Sequence, residues 1–501
     1  MILEQKKRIV KFLIQNNVLV DNTILQKIEE KEISEKLEEL IKRNVFLREE
    51  EILKLLGLDY DKKENLSTDK EKILQDNQNN KDKKYSLKII QSHKELLKKK
   101  TVQDFISYFN TRYKKLSAIL QKKQELADAT SIKRINSKTE KEEVALIGLV
   151  YEIAKTKNGN IILTLEDPTG QIKAIVHNTK QDLINIAEDI VPDECLGILG
   201  VFNKGIIYVN KIIFPEIPPT KELKKSPEEC YAIFTGDTHI GSKQFLKDNF
   251  LNMISWLNKE TGSEHQKKIA EKVKYLFIVG DLVDGLGIYP TQYNDLEIKD
   301  IKNQYKELAE YLSKIPPQIA VILCPGNHDS LRLSEPQPPL PKDFAEELYN
   351  LPNVFIVSSP ALVNIESQEN FSGFDILLYH GTSLNYYAEN VKSISSAGGH
   401  TRADLIMKFL LQRRHLAPTH TSTQYMPDSE DDPLVVEKVP DFFVTGHIHR
   451  ATISSYRNVT LLNCSCWIEM TEYQEKVGLV PEPSRVILVN LQTREAKMMR
   501  F

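Results

Sequence analysis

The sequence predicts a multidomain α+β protein: a small N-terminal helical unit, a short β-rich barrel, and a layered α/β domain running to the C-terminus. Three observations carry this expectation. The chain has 501 residues, more than a single ordinary domain of about 150. The period of its apolar residues changes from helical before residue 143 to strand-like between 144 and 215. From residue 228 onward, apolar runs that end in polar clusters alternate with helical stretches.

Composition sets the outer limits. Hydrophobic residues make up 41% and charged residues 27%, a globular balance. No apolar run approaches the ~20 residues that cross a bilayer, and the first residues lack a signal-peptide core, so no membrane role is expected. Five cysteines (Cys195, Cys230, Cys324, Cys464, Cys466) are too few for a disulfide scaffold, and none forms a C-x-x-C pair. A reducing cytoplasm is the expected compartment. The net charge of −3 hides an uneven distribution and speaks neither for nor against nucleic acid.

Residues 1–57 read as a helical N-terminal module, with Ile9, Phe12 and Leu13, then Leu37, Leu40 and Ile41, at helical spacing. It carries nothing catalytic and reads as a docking or structural unit. Residues 58–100 read as a lysine-rich disordered linker, since stretches such as DNQNNKDKK (Asp76–Lys84) cannot bury enough apolar area to order themselves. A helical segment follows over 101–143, with Val102, Phe105, Ile106 and Phe109 expected on one apolar face beside Arg112, Lys114 and Lys115. Residues 144–215 hold about five short β-rich runs and a helical insert at Asp182–Glu188. That pattern suits a small Greek-key barrel of the oligonucleotide-binding type (an OB-fold). Such barrels hold single strands or mediate protein contacts, and no run of aromatics for base stacking decides between the two. The proline-rich stretch Pro215–Pro227 marks the next boundary.

The domain 228–501 contains the runs YAIFTGD, YLFIVGD, IAVILCPGNHD, ILLYHG and FFVTGHIH. Ser330–Lys342 and Ala417–Pro433 between them read as exposed loops. Each run ends in residues able to bind a divalent metal: Asp237 and His239, Asp281, Asn327 with His328, His380, and His447 with His449. Strands of one sheet deliver such ends to a common edge. Residues two apart on an extended segment point the same way, so Asp237 and His239, and His447 and His449, are each expected to pair. The glycines before them (Gly236, Gly280, Gly326, Gly446) are expected to permit sharp turns. Four such ligands suit one ion; seven suit two ions sharing a carboxylate. Mixed nitrogen and oxygen ligation favours Mn²⁺, Fe²⁺ or Zn²⁺ over Ca²⁺. Two ions ~3.5–4 Å apart form a clamp for in-line attack at phosphorus.

The order GDxH, GD, GNHD, HG, GHxH resembles the calcineurin-like metallophosphoesterase superfamily, which implies a four-layer α/β metallophosphoesterase domain. Within it, the chain resembles the small subunits of archaeal family D DNA polymerases. The shared features are the helical N-terminus, the linker, the segment FISYFNTRYKKLSAIL, the barrel, and the tail CSCWIEMTEYQEKVGLVPEPSRVILVNL. This resemblance implies a 3′–5′ exonuclease proofreading for a large catalytic subunit. It implies two divalent cations, Mn²⁺ first, with Mg²⁺, Fe²⁺ or Zn²⁺ as alternatives. One would take Asp237, His239, Asp281 and His449; the other Asp281, Asn327, His380 and His447, with Asp281 bridging. His328 would be the general acid and Asp329 would orient its ring. Implied partners are the large subunit, single-stranded or mismatched DNA 3′ ends, and a sliding clamp, in a cytoplasmic, nucleoid-associated setting. Gly285 after Asp284, where phosphatases carry Arg-Gly, fits the nuclease side. Two other readings stand beside this one: an inactive scaffold subunit, and a free-standing phosphoesterase.

Further residues receive weaker expectations. Cys464 and Cys466 read as packing residues, and Trp467–Val489 as a surface for either the large subunit or its own sheet. His400 and the pair Arg413-Arg414 face either DNA phosphates or solvent. His265, His415 and His420 have no evident partner.

Overall fold

The computed structural model describes residues 85–94, 99–427, 431–471, 474–475 and 480–501. The helical module expected over 1–57, and the linker as far as residue 84, lie outside them. The described residues all fall within one unit. Among the described residues no helix is long and apolar enough to cross a membrane.

The linker expectation fails at its C-terminal end. Residues Leu87–Ser92 form a strand, β1, that pairs antiparallel with a later one. Leu87 and Ile89 alternate into an apolar core, and this period of two is what makes the segment a strand rather than coil.

Helix α1 (Val102–Leu120) begins at a capping box in which Thr101 and the Asp104 carboxylate bond each other's first turn. Its buried face is not the one the apolar spacing suggests. Asp104, Tyr108, Arg112, Leu116 and Leu120 are buried, whereas Val102, Phe105 and Ile106 are exposed. The reason is a polar partner set supplied from far along the chain. Arg112 is wholly buried, with Nε donating to Asp432 at 2.8 Å and a terminal nitrogen donating to the Pro418 carbonyl at 2.8 Å. Tyr108 donates to the same carboxylate at 2.7 Å, and the Phe109 and Tyr425 rings flank the guanidinium. A charge buried with such partners is tolerated where an unpaired one is not.

A short helix, α2 (Ile132–Asn136), leads into the barrel strands β2 (Glu142–Lys155), β3 (Ile161–Asp167) and β4 (Gly170–Val176). Helix α3 (Gln181–Glu188) falls where the insert is expected, followed by β5 (Cys195–Asn203) and β6 (Ile206–Ile213). The closed order is β2-β3-β4-β6-β5. Alternate side chains such as Leu146, Leu163, Ala174, Ile198 and Ile207 fill the interior. Leu116 and Leu120 of α1 cover the outside, against Ile147, Leu149 and Ile213.

The C-terminal domain comprises β7 (Tyr231–Thr235), α4 (Lys247–Leu257), α5 (Glu264–Glu271), β8 (Val273–Val279), α6 (Ile301–Leu312), β9 (Ala320–Cys324) and α7 (Lys342–Tyr349). It continues through β10 (Val354–Ile356), β11 (Ala361–Ile365), β12 (Phe374–Leu378), α8 (Leu384–Asn390), α9 (Lys392–Ser396) and α10 (Ala403–Arg413). The last strands are β13 (Phe442–Thr445), β14 (Thr452–Tyr456), β15 (Val459–Asn463), β16 (Arg485–Asn490) and β17 (Ala496–Arg500). Two six-stranded sheets result, β1-β11-β12-β13-β15-β14 and β10-β9-β8-β7-β16-β17. They share an apolar layer containing Phe234, Phe277, Ile322, Ile376 and Val444. The other face of the second sheet packs on α4, α6 and α7, and that of the first on α8 and α10. The domain is therefore four layers, α/β/β/α. Strands β7, β8, β9, β12 and β13 are buried on both faces over most of their length, so they read as largely apolar runs.

Two surface expectations are corrected, and for Trp467 the packing alternative holds. Arg413 and Arg414 do not face solvent or phosphate: both are buried. Arg413 pairs with Glu194 of the barrel at 3.1 Å, and Arg414 donates to the Val436 carbonyl at 2.5 Å. The segment 330–342 and the described residues of 417–433 are not simply exposed, since Glu335, Gln337, Thr419 and Asp432 are buried. Trp467 is wholly buried, its indole donating to Thr235 at 2.8 Å. Tyr473, Val477 and Leu479 lie outside the described residues, while Val480 is exposed. Cys464 and Cys466 are packing residues, both buried.

His415 acquires a partner that its sequence position did not reveal. Its Nε2 lies 3.0 Å from the Asp432 carboxylate, and Nδ1 accepts from the Ala417 amide at 3.0 Å. Burial first, then the Arg112 charge, push its pKa down from 6.5 to about 4. The unfolded chain therefore takes up a proton below pH 6.5 that the folded chain refuses until about 4. The stabilising contribution is complete above pH 6.5 and is lost as pH falls through that window, at about 1.4 kcal/mol per pH unit. Thermal unfolding of wild type and His415→Gln between pH 7 and 4 checks this: the wild type is expected to lose stability more steeply than the variant.

Candidate metal centre

Every expected ligand lies just beyond the C-terminal end of a strand. Asp237 and His239 follow β7, Asp281 follows β8, Asn327 follows β9, His380 follows β12, and His447 and His449 follow β13. Those strands run parallel within their sheets (β7-β8-β9 and β12-β13). The two sheets thus present all seven residues at one edge, where α/β folds bind ligands.

The turns differ in their means from the sequence reading. Asp237, His239, Asp281, His447 and His449 themselves adopt left-handed φ values between 46° and 68°. Such backbone is uncommon outside glycine, costs about 1–3 kcal/mol per residue, and gathers at functional sites. It also means that neither pair sits on an extended segment. His447 and His449 diverge into different clusters, while Asp237 and His239 stay together. The glycines chiefly make room. A Cβ on Gly280 would overlap the His380 ring, and one on Gly326 would overlap Asp281.

Two overlapping clusters result. Asp237, His239, Asp281 and His449 form the first, and Asp281, His380 and His447 the second. In the first, His449 Nε2 lies 3.2 Å from Asp237 Oδ1 and 3.2 Å from His239 Nε2, which stands 3.8 Å from Asp281 Oδ2. In the second, His380 Nε2 lies 3.2 Å from Asp281 Oδ2 and 3.0 Å from Asn327 Oδ1. Asp281 belongs to both. The outward nitrogens are held from behind: His449 Nδ1 by Gln474 at 2.8 Å, and His447 Nε2 by Asn385 at 3.0 Å.

The electrostatics suit a cation. Burial alone would raise the Asp281 carboxyl, but His380, His328 and His239 hold it well below its usual range. Burial, then His380, push His447 down to about 3, leaving it neutral as a ligand must be. Burial opposes protonation of His380, yet the Asp281 charge raises it to about 9. The field that lifts His380 against its burial is the field a divalent ion would meet. Carboxylate, amide and imidazole donors fit a hard or borderline ion of the Mn²⁺, Fe²⁺ or Zn²⁺ kind.

His328 stands beside these clusters, half-buried, its ring edge-on to His239 at 4.5 Å between centroids. Its main-chain N–H donates to Asp281 at 2.8 Å. Asp329 does not orient its ring. That carboxylate turns inward and accepts from the Gly326 amide at 2.8 Å, the Leu282 amide at 3.2 Å and the Tyr305 hydroxyl at 3.0 Å. Burial, then repulsion from Asp281, raise its pKa to about 7, so its place is in holding the loop. The partner of His328 is Asp284, whose carbonyl lies 2.9 Å from Nδ1. The Asp284 carboxylate meanwhile lies 3.1 Å from His239 Nδ1. Asp284, Gln474 and Asn385 escaped the sequence reading. Only Asp284 left a signal, as the second aspartate of GDLVDG three residues after Asp281.

A cleft of about 890 Å³ opens beside Asn327 and His328, walled by loops after β8 and β9 and by Thr382, Thr423 and Gln424.

Residues 232–451 match the calcineurin-like phosphoesterase family. The chain is 37% identical over 389 residues to the DNA polymerase II small subunit of Methanothermobacter thermautotrophicus, covering 78% of each chain. It is 38% identical over 410 residues to that of Thermoplasma acidophilum, covering 80% of this chain and 78% of the relative. For that of Methanocaldococcus jannaschii the values are 37% over 393 residues, with 78% of this chain and 64% of the relative covered. The match thus spans just under two thirds of some relatives' length and over three quarters of others'.

Proposed function

The chain belongs to the family of DNA polymerase II small subunits, those of the archaeal family D DNA polymerases, and from that membership we propose that it is a metal-dependent 3′–5′ exonuclease editing for a separate polymerising subunit. The observation that carries this reading is the pair of overlapping ligand clusters hinged on Asp281. A scaffold subunit has no need of seven donors held at one edge, five of them in costly backbone. A free-standing phosphoesterase has no need of the barrel.

Asp237, His239, Asp281 and His449 would hold one divalent ion; Asp281, Asn327, His380 and His447 the other. When bound, such a pair activates water and neutralises the oxygens of the phosphodiester undergoing in-line displacement. The protein's residues do the rest. His328 Nδ1 faces a carbonyl, which only accepts, so Nδ1 carries a hydrogen, and in the imidazolium form Nε2 carries the second proton, the one it can give. That proton goes to the departing 3′-oxygen as its bond to phosphorus breaks, while the water that adds to phosphorus releases its own proton to solvent, leaving a 5′-mononucleotide and a strand shortened by one. Asp284 fixes His328 through its carbonyl and His239 through its carboxylate, so acid and ligand share one support.

The partners on this reading are the large catalytic subunit, DNA 3′ ends and a sliding clamp. A 5′-labelled single strand incubated with the purified chain and Mn²⁺ or Mg²⁺ tests the chemistry. The expected result is a ladder shortening one nucleotide at a time from the 3′ end. Intact strand with either ion, or internal cuts alone, would count against the proposal.

A further inference from the structure

The cleft beside His328 has a chemically divided lining. Leu286, in the loop after β8, is 42% exposed, and Leu333, in the loop after β9, is 54% exposed. A single exposed leucine means little; here two from separate loops line one cleft, with half-buried Ile288 and Leu331 also on its walls. Thr382, Thr423 and Gln424 line the same space; the Thr382 and Thr423 hydroxyls hydrogen-bond the buried Glu335 side chain, which leaves their oxygens as acceptors beside the exposed Gln424 amide. Gly285 binds the Leu286 loop closely to His328, for a Cβ there would overlap the His328 carbonyl oxygen. The apolar lip and the proton donor are therefore positioned together.

We propose that this cleft is a nucleoside subsite, in which an unstacked base lies against Leu286 and Leu333 with its polar edge toward Thr423 and Gln424. A nucleobase has apolar faces and a hydrogen-bonding edge, as this lining requires. The inference rests on the exonuclease reading and deepens it. His328 opens on this cleft and protonates the departing 3′-oxygen, so the nucleoside in it is the one bearing that oxygen, the penultimate one of the strand. A base lying against these leucines has left its duplex stack. The strand must consequently be open over its last two nucleotides, and opening costs least at a mismatched or single-stranded end. Selectivity for such ends then comes from the cleft, and the metal centre need not distinguish them.

The test uses the full chain with Mn²⁺ and two substrates: a single-stranded decanucleotide, and bis(p-nitrophenyl) phosphate, a diester too small to use the lips as a strand does. For Leu286→Ala/Leu333→Ala, the ratio of kcat/KM on the strand to that on the small diester is expected to fall about five- to twentyfold, equivalent to roughly 1–2 kcal/mol. Preference for a mismatched over a paired 3′ end should narrow with it. A ratio within twofold of wild type overturns the subsite. Failure of the wild type to hydrolyse either diester is a different result: it removes the exonuclease reading itself, and the subsite with it.

Discussion

Replacing Asp281 by alanine is expected to abolish exonuclease activity and the binding of both cations together. Its carboxylate is common to the two clusters, 3.2 Å from His380 and 3.8 Å from His239. One substitution therefore removes a donor from each. Losing the several kcal/mol of transition-state stabilisation that bound metal supplies corresponds to at least about 10³-fold in rate. Asp281 also accepts the His328 amide, so Asp281→Asn is the better-folded control: it keeps one acceptor oxygen but lacks the charge. Calorimetric Mn²⁺ titration beside the nuclease assay gives both readouts. Two ions still bound, with the rate unchanged, would remove the bridging role.

His328→Ala is expected to separate chemistry from metal binding. Its ring gathers with His239 and Asp284, and it belongs to neither of the two clusters that share Asp281. Metal content should stay near wild type while the rate falls ~10²–10⁴-fold, the usual worth of a positioned proton donor. Loss of an ion in parallel with activity would make His328 a ligand instead. Asp329→Asn should act differently, through the loop that Asp329 ties to Gly326, Leu282 and Tyr305. Its effect is expected mainly on thermal stability.

The donors were legible in the sequence because β7, β8, β9, β12 and β13 are buried on both faces. Their apolar runs stand out, and polar residues clustered directly after them have no structural excuse. Which side chain supports which was not legible. Asp329 is adjacent to His328 in sequence, but the backbone at the GNHD turn sends its carboxylate inward to three donors. Asp284, 44 residues from His328, takes the supporting place instead. The same limit applies to α1. Helical spacing found apolar Val102, Phe105 and Ile106, but the buried face is decided by Asp432, 320 residues from Arg112. A charged residue reads as exposed until its partner is known. Arg413, paired with Glu194 of the barrel, was misread for the same reason. Strand β1 was hidden because its lysine-rich surroundings outweighed two alternating apolar residues.

The central claim, a two-ion hydrolytic centre hinged on Asp281, is tested most directly by adding Mn²⁺ to metal-free protein while counting bound ions and measuring release of 5′-mononucleotide from a 3′-mismatched end. The account predicts two ions per chain, with activity appearing as the second binds. Full activity with one ion, or no release with two bound, would contradict it.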